Sequence, residues 1–156
     1  MLGGMIRTGI LFYRDACSYR FVIYIFAVEV IHDACRAKDR DFPVWIKINS
    51  SDEEEGGFTV EEFLEDAVEL SKLGIDAIEI SGEQWSAHKP SGRAYYKEPA
   101  EKLAALVQTP VILTGGLRTL DDISDIYEHS NIEFFGFARP FMMNTDFVKE
   151  LEAQVK

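Results

Sequence analysis

Two stretches decide the fold: Thr-Pro-Val-Ile-Leu-Thr-Gly-Gly-Leu-Arg-Thr at residues 109–119, and Ile-Glu-Phe-Phe-Gly-Phe-Ala-Arg-Pro-Phe at residues 132–141. Each is a short apolar strand that ends in glycine, and in the second stretch Arg139 follows Gly136 by three residues. Backbone N–H groups can approach an anion where no side chain intervenes, and a guanidinium can then bind two of its oxygens. The two strand ends therefore predict a binding site for a phosphorylated ligand.

The composition is that of an acidic globular protein. The 156 residues, 47% of them hydrophobic, suffice for one domain with a sizeable core. The formal net charge of -11 repels nucleic acid and anionic membranes, and no cluster of lysine and arginine overcomes that field. We therefore expect neither a nucleic-acid partner nor a membrane partner.

The cysteines and the N-terminal region bear on the compartment. Cys17 and Cys35 have no metal-ligand spacing and form no disulfide framework, which favours reduced thiols. The apolar run at residues 21–31 is too short to span a bilayer, is interrupted by Glu29, and is followed by no cleavage site for a signal peptide. These features predict a cytoplasmic protein without an export signal.

Helical and strand periodicities alternate along the chain. The helices are predicted at residues 26–36, 60–73, 95–107, 120–128 and from about 145, and the strands at 42–48, 76–80, 111–113 and 132–135. Thr59 and Glu62 form a capping box for the second helix, Phe58 can pack against Phe63, and Asn144 is the expected cap of the last helix. The strand at 42–48 is nearly all apolar, which is typical of a strand covered on both faces.

Strands that alternate with helices through short connections form a parallel sheet. In a doubly wound fold the glycine-rich turn usually follows the first strand, whereas here the glycines follow the last two. In a (β/α)8 barrel the phosphate site follows strands seven and eight, and a whole barrel takes roughly 250 residues. The fold class expected is therefore α/β, the C-terminal half of a (β/α)8 TIM barrel with about four parallel strands and covering helices.

Residues 26–156 resemble the C-terminal half of the Old Yellow Enzyme family, the FMN-dependent NADH:flavin oxidoreductases and ene-reductases. Four ordered motifs carry the resemblance: Phe-Pro-Val-Trp-Ile-Lys-Ile-Asn-Ser-Ser-Asp (42–52), Gly-Gly-Phe-Thr (56–59), Thr-Gly-Gly-Leu-Arg-Thr (114–119) and Gly-Phe-Ala-Arg-Pro-Phe (136–141). The resemblance implies an FMN cofactor, NAD(P)H as reductant and an enone-like acceptor as the small-molecule substrate.

The resemblance also implies roles for individual residues. Lys47 matches the basic residue that approaches the N1/C2=O edge of the flavin, where a cation stabilises the reduced cofactor. The residues expected to hold the cofactor phosphate are Gly115 and Gly116 in the first turn and Gly136, Ala138 and Arg139 in the second. The family frequently has glycine where this chain has Ala138, and alanine tolerates a positive φ less well.

Other residues are weaker candidates. Arg118 is expected to face solvent, and the long loop at 81–93 carries His88, Lys89 and Arg93, which could touch substrate or phosphate. Trp85, Tyr95 and Tyr96 are expected to pack rather than to line a pocket. The remaining histidines and Cys35 form no metal set, and the acidic run at 52–55 is expected to be a solvated loop.

The first half of such a barrel would supply the catalytic residues, and this chain has no match to it. Residues 1–25 form a divergent segment, and residues 26–156 form the half-barrel with the phosphate-binding turns. Open sheet edges and an uncovered apolar face predict a homo-oligomer or a partner half-barrel. An FMN-dependent oxidoreductase half, a non-catalytic flavin- or phosphate-binding remnant, and another barrel that binds a sugar phosphate or nucleotide remain open readings.

Overall fold

The computed structural model describes residues 16–38, 42–52, 55–82 and 92–155. The chain forms two compact units, Met1–Phe42 and Pro43–Lys156. The first unit holds helix α1, Ala16–Ala37, whose sequence contains neither glycine nor proline to interrupt it. This helix begins ten residues before the predicted start, and the predicted boundary between segments 1–25 and 26–156 falls inside it. That the first 25 residues are a divergent segment stays a prediction.

Helix α1 is largely apolar on its surface but carries charges along its length. Ile23 and Phe26 are 64% and 54% exposed, while Glu29 and Asp33 interrupt the apolar sequence. No helix within the described ranges combines the length and the hydropathy needed to cross a bilayer.

The second unit is built on one parallel sheet of four strands. The strands are β1 (Trp45–Asn49), β2 (Ala77–Ser81), β3 (Val111–Thr114) and β4 (Phe134–Gly136), and they lie side by side in the order β1-β2-β3-β4. Each strand pairs in parallel with the next, with Lys47 opposite Glu79 and Thr114 opposite Gly136. Sequential parallel strands joined through helices are the architecture of a (β/α)8 barrel, and four strands are half of one. The predicted fold class is confirmed.

Helices connect the strands at nearly the predicted positions. They are α2 (Val60–Ser71), α3 (Lys97–Leu106), α4 (Leu120–His129), α5 (Arg139–Met143) and α6 (Phe147–Glu152). The short helix α5 was not predicted. Helix α6 begins at Phe147, two residues later than predicted, and Asp146 directly precedes it without a side-chain cap. The expected capping bond of Asn144 is present, since its side-chain Oδ1 accepts from the N–H of Asp146 at 3.0 Å.

Capping boxes start two of these helices. The Thr59 hydroxyl accepts from the Glu62 N–H, and the Glu62 carboxylate accepts from the Thr59 N–H, as predicted. Thr119 and Asp122 form the same reciprocal pair at the start of α4. Both boxes satisfy N–H groups that the first helical turn leaves without an intrahelical partner.

Most of the core lies on one face of the sheet. Ile48, Ile78, Ile80 and Leu113 alternate along the strands and are at most 1% exposed, as are several helix residues that include Phe63, Leu70 and Leu103. On the opposite face Trp45 and Phe134 remain 64% and 49% exposed. The expectation that β1 is covered on both faces was therefore wrong for the described residues of the second unit, because the helices of this unit leave Trp45 exposed.

Candidate functional site

The two glycine-containing turns lie at the same edge of the sheet. Gly115 and Gly116 directly follow β3, and Gly136 is the last residue of β4, which pairs with β3. Gly115 and Gly116 adopt φ values of +92° and +76°, in the left-handed region that residues with a Cβ rarely enter. The predicted conjunction of the two turns is thus present in the fold.

The chain's own backbone approaches Gly115 and Gly116 closely. The Gly116 carbonyl accepts from the Ala94 N–H and the Gly115 carbonyl from the Tyr95 N–H, each at 3.2 Å. A Cβ on Gly116 would lie 2.7 Å from the Ala94 nitrogen, and one on Gly115 would lie 3.0 Å from the Tyr96 ring. Glycine is therefore required here both by the turn and by the segment packed on it.

The second turn is built differently. A Cβ on Gly136 would lie 3.2 Å from the Cβ of Thr114 on the paired strand, so this glycine gives room to a neighbouring side chain. Ala138 has a φ of -114°, a value open to any residue. The expected disadvantage of alanine at this position does not arise.

A cavity of about 360 Å³ opens beside the two turns. Gly116 and Arg139, one from each turn, both line it, and so do Tyr95 and Arg118. No carboxylate side chain lines this cavity. Gly115 and Ala138 each adjoin a lining residue in sequence, and Gly136 lies three residues before Arg139, but none of the three lines the cavity. Their binding roles stay predictions.

Two guanidinium groups converge on one hydroxyl in this cavity. The Tyr95 hydroxyl oxygen accepts from Nη2 of Arg118 at 3.2 Å and from Nη2 of Arg139 at 3.4 Å. The Arg139 guanidinium carbon also lies 5.9 Å from the centre of the Tyr95 ring. Burial acts to raise the pKa of Tyr95, but the hydrogen bonds and positive charges of the two arginines outweigh it and lower the pKa.

Sequence reasoning undervalued two members of this cluster. Arg118 is exposed, as expected, yet it lines the cavity beside Arg139. Tyr95 was expected only to pack, whereas its hydroxyl joins the two arginines. Tyr96 packs as predicted, edge-on against Tyr95, and its hydroxyl donates to the Gly82 carbonyl at 3.3 Å.

Lys47 lies apart from this cavity, in the middle of β1 on the sheet face that the described helices leave open. Its Nζ is 2.7 Å from Oε1 of Glu79 on β2, and the two side chains are 55% and 27% exposed. A surface ion pair of this kind contributes little to stability, on the order of 0–1 kcal/mol. The Lys47 charge is therefore held in place by Glu79 without being deeply buried.

Arg93 has a structural partner instead of a position in the cavity. Its Nη1 lies 2.9 Å from Oδ1 of Asp122, while Oδ2 of Asp122 accepts from the N–H groups of Arg118 and Thr119. Burial opposes ionisation of Asp122, but these hydrogen bonds prevail and lower its pKa. His88, Lys89 and Trp85 lie outside the described residues.

The other candidate sites carry less chemistry. A larger cavity of about 540 Å³ lies at the amino ends of β3 and β4, near Pro110 and Phe134, but no cationic side chain lines it. Among the described residues no three histidine, cysteine, aspartate or glutamate side chains are grouped to hold a metal ion, and Cys35 is a free thiol. The smaller cavity is therefore the better anion site.

No family model matches this sequence. Among solved structures, it is similar to histamine dehydrogenase from Rhizobium sp. 4-9, with a TM-score of 0.70 and 20% identity over 82% of this chain and 19% of that one. It is also similar to 2-naphthoyl-CoA reductase in complex with 2-naphthoyl-CoA, with a TM-score of 0.66 and 22% identity over 83% of this chain and 21% of that one. The chain thus spans about a fifth of each matched structure. At this identity the similarity establishes a shared fold.

Proposed function

We propose that this chain is the phosphate-binding half of an FMN-dependent NAD(P)H:flavin oxidoreductase of the Old Yellow Enzyme type. The observation that carries the proposal is the convergence of Gly116 and Arg139 on one cavity at the carboxyl ends of β3 and β4. Barrel enzymes frequently bind phosphate at the loops after their last two strands. The two matched structures, a dehydrogenase and a reductase by name, agree with a redox role.

The donor set of the cavity fits a phosphate monoester. Two guanidinium groups and one hydroxyl face a space without a carboxylate, so a dianion entering it would meet hydrogen-bond donors and positive charge. Gly116 also lines this space, with Ala94 and the Tyr95 ring packed where its side chain would be. FMN presents such a phosphate at the end of its ribityl chain.

Lys47 would act at the other end of the cofactor. A bound FMN would supply hydride transfer between NAD(P)H and an enone-like acceptor, with negative charge at its N1/C2=O edge in the reduced form. Lys47 would place its ammonium group toward that edge, and Glu79 orients the ammonium in the absence of ligand. If the Lys47 ammonium then moved from the Glu79 carboxylate to the flavin edge, its positive charge would still face a negative charge.

Non-catalytic binding is the second candidate. The four described strands form an open sheet with Trp45 and Phe134 exposed on one face, so the described residues do not close a pocket around a flavin ring. Hydride transfer requires an oriented pocket with the reacting atoms about 3–3.5 Å apart. This observation favours binding without turnover by the chain alone, with chemistry restored by a second copy or a partner half-barrel.

Cofactor titration tests the binding proposal. FMN and riboflavin differ only in the phosphate, so fluorescence titration of the chain with both isolates the contribution of the phosphate. Replacing Arg139 by Ala should weaken FMN binding about tenfold or more and leave riboflavin unchanged, since a hydrogen bond to a charged group contributes about 1.5–3 kcal/mol. Arg36→Ala is the control, because it removes the same charge from an exposed position on α1. Equal losses for FMN and riboflavin would contradict the assignment.

An NADH oxidation assay separates the two candidates. Turnover by the chain with added FMN supports the oxidoreductase reading, and FMN binding without turnover supports the binding reading. Sedimentation at micromolar concentration tests the proposed association: a monodisperse monomer would argue against a homo-oligomer.

A further inference from the structure

The Tyr95 hydroxyl has an unusual hydrogen-bonding position. A phenol oxygen can accept two hydrogen bonds and donate one. Arg118 and Arg139 fill both acceptor positions, and within the described part of the chain no group accepts the Tyr95 proton. The tyrosine therefore holds two cations together while its own donor remains available beside the cavity.

The two arginines differ from the other cations near the sheet. Arg93 has a carboxylate partner at 2.9 Å and Lys47 has one at 2.7 Å. Arg118 and Arg139 have no carboxylate partner among the described residues, although both reach the same oxygen. Two like charges drawn together around a neutral group are stabilised by an anion that neutralises both.

We propose that Tyr95 is a phosphate-binding residue that holds Arg118 and Arg139 as one clamp for a phosphomonoester dianion. The Tyr95 O–H donates to one phosphate oxygen, and the guanidinium groups bind the others with their remaining N–H groups. Because the Tyr95 backbone N–H is bonded to the Gly115 carbonyl at 3.2 Å, the clamp is attached to the glycine turn. This inference rests on the proposed function, because we take the bound phosphate to be the phosphate group of FMN.

Inorganic phosphate is the probe that tests the clamp without a flavin. Isothermal calorimetry with phosphate should show about tenfold weaker binding for Tyr95→Phe than for the unaltered chain. Phenylalanine keeps the ring that packs against Gly116, so the variant should fold, which circular dichroism verifies. Arg118→Gln should weaken binding at least as much. Two substitutions serve as controls. Tyr127→Phe alters an exposed tyrosine at the larger cavity, at the amino ends of β3 and β4, and Arg36→Gln alters an exposed arginine on α1.

Unchanged phosphate affinity in Tyr95→Phe, or no phosphate binding by the unaltered chain, would overturn the clamp. Parallel titrations with FMN, riboflavin and ribose 5-phosphate identify the source of the phosphate and separate this inference from the proposed function. If the Tyr95→Phe defect is found with phosphate and ribose 5-phosphate while neither flavin binds, the clamp stands and the flavin proposal fails. If FMN binds the unaltered chain and Tyr95→Phe equally well, the flavin proposal stands and the clamp fails.

Discussion

Replacing Gly116 by Ala probes how the turn after β3 is built. Gly116 and Gly56 share a φ of +76°, but their surroundings differ. A Cβ on Gly56 would meet nothing within 4 Å, whereas a Cβ on Gly116 would lie 2.7 Å from the backbone nitrogen of Ala94. Gly56→Ala is therefore a matched control that carries the conformational cost without the clash.

The two costs can be estimated separately. Placing alanine in the left-handed region costs about 1–2 kcal/mol, and both variants should lose this amount of unfolding free energy. Forcing an additional carbon into a filled space costs about 1–3 kcal/mol more, and only Gly116→Ala should lose it. The obstacle at Gly116 is backbone and cannot rotate away, so we expect the upper part of that range.

Urea denaturation followed by circular dichroism measures both losses on the same scale. Phosphate titration of the same variants should show weaker binding for Gly116→Ala alone, because displacement of Ala94 moves Tyr95 and with it the two arginines. Equal destabilisation by the two substitutions would refute the reasoning, since it would mean that segment 94–96 is not packed against the turn.

Two further predictions follow from the ionisable groups of the site. Asp122 has a lowered pKa in the folded state, so its contribution to stability is present above the unfolded pKa of about 3.9 and is lost as the pH falls through the lower folded pKa. When the free energy of unfolding is measured as a function of pH, Asp122→Asn should therefore lose less stability on acidification than the unaltered chain. At alkaline pH, ionisation of Tyr95 between Arg118 and Arg139 supplies an internal anion, so phosphate affinity should fall before pH reaches the usual tyrosine value of about 10. Calorimetry across pH 7.5–10 should find no such fall in Tyr95→Phe, and parallel curves for the two proteins would contradict the second prediction.

Local signals predicted the strands, most helix bounds and the position of the two glycine turns at one edge of the sheet. The capping box at Thr59 fixed the start of α2 to the residue, because the reciprocal hydrogen bonds span only three positions. The pair Gly115 and Gly116 marked the end of β3 for a similarly local reason, the positive φ of both residues. The start of α1 was missed because residues 21–25 are all aromatic or β-branched, which favours a strand over a helix, so the helical period was evident only from residue 26.

Such local signals could not predict contacts between residues far apart in the sequence. Tyr95 meets Arg118 and Arg139 only because the chain returns to the same edge of the sheet after each strand. The ion pair of Lys47 and Glu79 could have been predicted from the sequence, since each is the one charged residue of its strand. Adjacent parallel strands place such residues side by side when the register matches, as it does here.

The glycines after β3 are required by the fold for a reason that the sequence did not show. From the sequence, the space beside Gly115 and Gly116 is expected to hold an anion, but the Ala94 backbone nitrogen and the rings of Tyr95 and Tyr96 pack against these glycines. The hydroxyl of Tyr95 joins the two arginines of the cavity. In the proposed anion site the glycines would therefore act largely through the tyrosine that they allow to approach. If the proposed clamp binds phosphate, a side chain at Gly116 should weaken that binding by displacing Ala94 and Tyr95, without touching the phosphate itself.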